Sequence, residues 1–464
     1  MKLRTAGITA EYNPFHNGHL WQLHALRQTL GDVPVIACMS GFFVQRGVAA
    51  LCDPWARAVM AVRAGADLVL RLPAWYSLRS ADYFAAGSVT TLAATGLVDT
   101  LVCGAEHAEE KRTAETTAGK ETQTPCRSLL QTAAWSLAKE TEQQVRDLLQ
   151  QGLSYGAAWE TAAAAHSADA TWFKGANNIL ALAYQKAVLQ HQLPLQLLML
   201  PRKGSGYHDA ALHPPYASAS AIRCALRDGV AFSSLKEVMP EESLRILIRC
   251  VSKSMQEESA KHRNETNGPK EEAEAIMETT KAPGSNSNDR RPDCAIALLR
   301  RENILCTLLA YHLSQNNSRR LYEHSSASHD LCDRFYNARQ ALTQGYAAFC
   351  DTIANKRDSL PAVRRLSLQL LLQQPRSFWT DTPEPSYLRV LAFNNRGRAL
   401  LKEMKQTATL PIISKPGNEE QYKGTALYPL LQLDAKAADL YQMLNGNAGV
   451  YGTDFTTSPM YVKG

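Results

Sequence analysis

Several features that would place a chain quickly are missing here. None of its ten cysteines stands in a C-x-x-C pair, which removes the usual spacing of structural zinc sites and of dithiol redox motifs. No uninterrupted apolar run approaches a membrane span, and the opening MKLRTAGITAEYN lacks a signal-peptide apolar core. One-sided charge is also lacking. Fifty Lys and Arg against 44 Asp and Glu leave a formal +6, too mild for total charge to argue a nucleic-acid partner, so only a clustered basic face would do so. There is no internal repeat, and no carboxylate cluster announces a metal. Most cysteines lie in apolar surroundings, such as Cys38 in VIACMS and Cys103 in LVCGAE, and read as buried free thiols of a reducing compartment. The expectation is a soluble, cytoplasmic protein.

What is present is ordinary globular composition over 464 residues, 45% hydrophobic and 20% charged, long enough for two or three domains. Residues 1–230 alternate strand-like and helix-like segments. TAGITA reads as a strand, followed by a helix over about 18–30, then a buried strand at 33–40. A helix at 53–66 follows, with Asp53 as N-cap and Pro54 at its first position. A strand at 67–73, a helix at 80–96 that Ser80 would cap, and strands at 99–106 and 195–202 complete the pattern. Such alternation argues for a parallel sheet with helices on both faces. The polar stretches 108–125 and 253–293 lack the apolar residues needed to offset ordering entropy and read as disordered inserts. From about 230 to 375 the pattern is helical, beyond the second insert resuming at 294–313. A short mixed element follows over 386–414, then a helix around 435–444. The division is thus 1–230, and a mainly helical 231–464.

The stretch EYNPFHNGHL, residues 11–20, lies between the first strand and first helix. In an open parallel sheet ligands bind at the carboxyl ends of strands, and a helix starting there presents free N–H groups and partial positive charge to an anion. His16 and His19 would add two donors, suited to a triphosphate that gains charge as it is attacked. Chance would explain the pattern about as well on its own. A second stretch, YASASAIRCAL at 216–226, follows the last strand of the first half and opens a helix with Ser218, Ser220 and Arg223. A serine cap would explain Ser218 alone, but not the pairing of two such helix starts on one sheet.

This pair resembles the HxGH nucleotidyltransferase superfamily, whose members carry HxGH and an ST-x-I-R segment on a Rossmann-like (HUP-type) sheet. AGITAEYNPFHNGHLWQL, MSGFFVQRGVAA, WARAVMAVRAGADLVLRLP, SADYFAAGSVTTL, VCGAE, NNILALAYQKAV, GSGYHD and ASASAIR, in that order, resemble the bacterial tRNA(Met) cytidine acetate ligase family. NKRDSLPAVRRLSLQLLL, LRVLAFNNRGRALLKEMK and AKAADLYQML resemble its second half. The likeness spans nearly the whole chain outside the two inserts. It implies an α/β nucleotidyltransferase domain followed by a tRNA-binding region. It also implies an enzyme that joins ATP and acetate into acetyl-adenylate and acetylates N4 of the wobble cytidine of elongator tRNA(Met).

By motif, the resemblance assigns ATP to Gly7, Ile8, Thr9, Ala10, Glu11, Tyr12, Asn13, Pro14, Phe15, His16, Asn17, Gly18, His19 and Leu20. His16 and His19 are the catalytic donors, and Gly104 touches the nucleotide. One of Asn177 and Asn178 does so too, and Arg202 and Lys203 meet phosphate or ribose. Ser218, Ser220 and Arg223 grip the β- and γ-phosphates. A magnesium ion carried with ATP is expected, with no dedicated protein site. Gln45 and Arg46 are placed on the acetate or cytidine side. Lys356, Arg357, Arg364 and Arg365, with Arg396 and Arg398, form two basic runs assigned to tRNA. The chain departs from the family at Phe42, at Cys103 and Ala105, and at Asp358 and Pro361, the last two beside the RNA contacts. Two rivals stay open: a nucleotidyltransferase with a small phosphorylated acceptor, and a non-catalytic RNA-binding protein on the same scaffold.

Overall fold

The computed structural model describes residues 5–106, 126–166, 168–203, 211–251, 293–381 and 383–463. The inserts expected at 108–125 and 253–293 lie outside these, as does GSGYHD; the helix after the second insert begins already at Asp293.

Eight strands among the described residues form one sheet in the order β10-β8-β5-β2-β1-β6-β7, with β9 on β8. β1 (Ala6–Ala10), β2 (Val35–Ser40), β5 (Leu68–Leu72), β6 (Thr100–Ala105) and β7 (Gln196–Pro201) run parallel to one another. β2 and β5 are buried at every position, as expected of parallel strands covered by helices on both faces. The order of these five reverses between β1 and β6, which makes the crevice over their carboxyl ends the topological switch point. β3 (Phe43–Val44) and β4 (Val48–Ala49) form a separate hairpin just past β2.

Local signals explain the helices. Pro54–Arg63 starts at proline, and the Asp53 carboxylate accepts the Ala56 N–H at 2.9 Å. Ser80 stands before Ala81–Ala93, but its side chain makes no capping bond. The final long helix, Tyr428–Leu444, begins seven residues earlier than the apolar pattern suggested.

The second half is mostly helix, yet it also extends the sheet. β8 (Leu388–Phe393) pairs antiparallel with β5, and β9 (Ile412–Ile413) and β10 (Met460–Tyr461) pair with β8. A buried charge cluster fastens this join. Arg71 on β5 meets Asp434 at 2.7 Å and also Asp454. Asp434 further accepts the Tyr387 hydroxyl and the Ala74 N–H. Removing one member would strand a buried charge, at a cost of about 3–5 kcal/mol.

Candidate active site

The turn from β1 into the helix Asn17–Leu30 is built around its two histidines. His16 occupies the N-cap, where Ser, Thr, Asp or Asn is usual. Its Nδ1 accepts the Gly18 N–H at 3.1 Å, and His19 Nδ1 accepts the His16 N–H at 3.2 Å. With each Nδ1 accepting a main-chain proton, the tautomer assigned to each neutral ring carries its hydrogen on Nε2. The rings stack with centroids 3.8 Å apart. Burial holds both below the usual imidazole range. His16 is pushed well down by burial, then by His19, Arg202 and Arg223; His19 falls to about 3 through burial and then Arg202. The pair is therefore neutral at physiological pH and offers two Nε2–H donors.

The neighbouring residues of HNGH serve that arrangement. A Cβ on Gly18 would lie 2.9 Å from His16 Cε1, so glycine leaves room for the ring over the helix start. Asn17 Nδ2 donates to the carbonyls of Pro215 and Glu237, tying the turn to the segments flanking the second helix start. Tyr12 and Phe15 are buried and wall His19, with centroids 4.9 and 5.3 Å away.

That second start is the helix Ala219–Arg227. Ser218 Oγ accepts the Ala221 N–H at 3.0 Å. Arg223 donates to Ser220 Oγ at 3.0 Å and to the Asn13 carbonyl at 2.7 Å, so it bridges the two stretches, 210 residues apart. His16, His19, Ser218, Ser220 and Arg223 all line one cavity of about 400 Å³, within the range that encloses a small ligand. Gln45, Arg46, Gly104, Asn177, Arg202 and Lys203 line it too, as do Thr9, Ala10, Glu11, Tyr12, Asn13 and Gly18. Against Arg46, Arg202, Lys203 and Arg223 the lining holds a single carboxylate, Glu11, among the described residues, so its charged side chains are mostly cationic.

Other expected residues stand elsewhere. Gly7 and Ile8 are buried in β1, where a Cβ on Gly7 would meet Val98 and Leu92. Pro14, Phe15, Asn17 and Leu20 do not line the cavity. Of the two asparagines, Asn177 lines it, whereas Asn178 is fully buried, accepting the Glu106 N–H at 3.0 Å and donating to the Thr171 carbonyl. Gly104 lies within β6 rather than in a turn; a Cβ there meets nothing within 4 Å and would enter the cavity.

Glu106 escaped the sequence reading. Its carboxylate covers the start of the helix Ala176–Gln190, accepting the N–H groups of Asn177 and Asn178, and lies 3.9 Å from Arg202. The VCGAE motif contains it, but only the fold shows what it caps. Trp21, Gln22, Tyr184 and Tyr216 also line the cavity unforeseen. Gln22, one turn beyond His19, is the one that helical spacing could have found.

The two basic runs separate. Arg365 donates to the Gln45 carbonyl at 2.9 Å, and Gly47 packs against the Arg364–Arg365 backbone, which puts that end of the first run beside the cavity; Lys356 and Arg357 are exposed and Arg364 is half-buried. Arg396 pairs with Asp32 at 2.7 Å and lies near Asp67, at the amino ends of β2 and β5, while Arg398 covers the Tyr461 ring. They do not form the single basic face that a shared assignment suggests.

The HIGH Nucleotidyl Transferase family model matches residues 3–453. The tRNA(Met) cytidine acetate ligase of Syntrophomonas wolfei is 33% identical, covering 98% of each chain; that of Clostridium novyi is 26% identical, over 99% of this chain and all of the other. The crystal structure of Thermotoga maritima TmcAL bound with alpha-thio ATP superposes over both full chains with a TM-score of 0.76 at 25% identity. No helix among the described residues is long and apolar enough to cross a membrane. The chain belongs to the HIGH nucleotidyl transferases and, among them, to the tRNA(Met) cytidine acetate ligase family.

Proposed function

We propose that this ligase joins acetate to ATP, forming acetyl-adenylate and pyrophosphate, and then acetylates N4 of the wobble cytidine of elongator tRNA(Met) to give N4-acetylcytidine. One observation carries the reading: the His16–His19 pair and the Ser218–Arg223 helix start line one cationic cavity at the switch point of the sheet.

Acetate is unreactive, and the cytosine amine is a poor nucleophile. Attack of acetate on the α-phosphorus makes a mixed anhydride whose leaving group is AMP. Negative charge grows on the α-phosphate during that attack. The two Nε2–H donors, held by main-chain bonds, stabilise it without reorganising. Ser218, Ser220 and Arg223 take the β- and γ-phosphates, and Arg202 and Lys203 a phosphate or the ribose. Asn177 and Gly104 meet the nucleoside. Gln45 and Arg46 stand at the acetate and cytidine side. A magnesium ion would neutralise the departing pyrophosphate. Such an ion would be carried by the phosphates themselves, as magnesium commonly is in nucleotide sites.

Lys356, Arg357, Arg364 and Arg365, a run whose last two residues pack against Gln45 and Gly47, are assigned to tRNA phosphates, an interaction that weakens with salt. Arg396, held by Asp32 at the amino ends of β2 and β5, and Arg398, over the Tyr461 ring, would contact tRNA away from the wobble base.

The test incubates purified protein with ATP, labelled acetate and unmodified tRNA(Met), omitting each component in turn. Acetylcytidine at the wobble position that requires all three supports the reading. Pyrophosphate exchange that requires a phosphomonoester instead of acetate would replace it with a small-acceptor nucleotidyltransferase.

A further inference from the structure

Glu11 is out of place in a phosphate site. It is the one acidic side chain lining the cavity among the described residues, and a carboxylate there repels both ATP and acetate. Its position suggests another task. Oε1 accepts the Gln45 N–H at 2.7 Å, and the Gln45 carbonyl in turn accepts from Arg365. Gly47, at φ +71°, packs its backbone against that of Arg364 and Arg365, where a Cβ would lie 2.5 Å from the Arg365 nitrogen. The carboxylate thus stands where the cavity meets the basic segment assigned to tRNA.

The other groups around it cannot accept a proton. Arg46 from the hairpin tip, Arg223 from the helix Ala219–Arg227 and Arg57 from the helix Pro54–Arg63 face Glu11 as cations. Tyr184, from the helix Ala176–Gln190, is kept protonated by burial. Burial likewise keeps the Cys103 thiol protonated, pushing it up to about 12. The histidines use each Nδ1 as a main-chain acceptor, which leaves Nε2 as a donor.

We propose that Glu11 is the general base of the transfer step, resting on the acetyl-adenylate reading above. As cytidine N4 bonds to the acetyl carbonyl carbon, the carbon–oxygen bond to phosphate breaks and its electron pair leaves with AMP. The N4 proton passes to the Glu11 carboxylate and from there to water.

Glu11→Gln keeps an acceptor for the Gln45 N–H but has no basic oxygen. Acetyl-adenylate is read by hydroxylamine trapping from ATP and acetate, and transfer by single-turnover acetylation of tRNA(Met). In E11Q, transfer should fall by about 10²–10⁴-fold, the scale of general-base catalysis, while hydroxamate falls by less than about tenfold. E11D, which keeps a carboxylate, should restore part of the transfer. Parallel losses in both assays would show that Glu11 merely shapes the ATP site, and wild-type transfer in E11Q would equally overturn the proposal. A wild-type protein that forms hydroxamate yet leaves tRNA unmodified would instead refute the function on which the proposal rests.

Discussion

His16 and His19 hold one another: the main-chain N–H of His16 donates to His19 Nδ1, and the two rings stack at 3.8 Å. The geometry fixes both Nε2–H groups before any ligand arrives. Replacing either histidine by alanine should reduce acetyl-adenylate formation by about 10²–10³-fold, the scale of losing one preorganised donor. Acetate-dependent pyrophosphate exchange measures this directly, and normal exchange in both variants would contradict the role.

The same burial makes a pH prediction. Folded His19 stays neutral down to about 3, while the unfolded chain protonates it near 6.5. Below 6.5 the unfolded state binds the extra proton, so this contribution to stability is complete above pH 6.5 and is lost as pH falls from there toward 3. His19→Gln removes that term. Its destabilisation relative to wild type, measured by urea melts, should shrink between pH 7 and pH 5.

Gly18 and Gly104 separate crowding from contact. Gly18→Ala places a methyl against the His16 ring and should mimic the loss of His16 in the exchange assay. Gly104→Ala meets no protein atom within 4 Å, so stability should hold or rise by about 0.4–1 kcal/mol through a less flexible unfolded chain. ATP affinity, read by calorimetry, should fall.

The adjacent asparagines should diverge likewise. Asn178→Ala removes a fully buried amide and its bonds to the Glu106 N–H and the Thr171 carbonyl and should cost about 0.5–1.5 kcal/mol of stability per bond lost. Asn177→Ala removes a cavity-lining bond to Glu106 at 2.7 Å and should weaken nucleotide binding with stability changed by about 0.5 kcal/mol or less. Thermal melts with and without ATP separate the two.

Paired alanine substitutions at Lys356 and Arg357 should lower tRNA affinity and reduce the salt slope by about 1–2. Arg396→Ala, whose guanidinium is engaged by Asp32, should change both by less in a filter-binding titration.

The parallel core was legible because each of its strands is a short apolar run between segments of helical spacing, and VIACMS and DLVLRLP are buried at every strand position. The two helix starts that line the cavity were legible for a related reason: each carries distinctive polar residues. What could not be read was long-range pairing. Nothing in LRVLAF says that it docks antiparallel on β5, nor does the sequence around Arg71 name Asp434 and Asp454, its partners more than 360 residues away. The division of Asn177 from Asn178 depends on Glu106, more than 70 residues earlier. That the two basic runs lie apart could not be read either, because a charge run shows neither its place on the sheet nor its partners.

The most direct test of the shared-phosphate claim is a crystal structure of this protein with a non-hydrolysable ATP analogue. The account predicts the α-phosphate within about 3.2 Å of a histidine Nε2, and the β- or γ-phosphate equally close to Arg223 or Ser220. A triphosphate bound away from either group would contradict it.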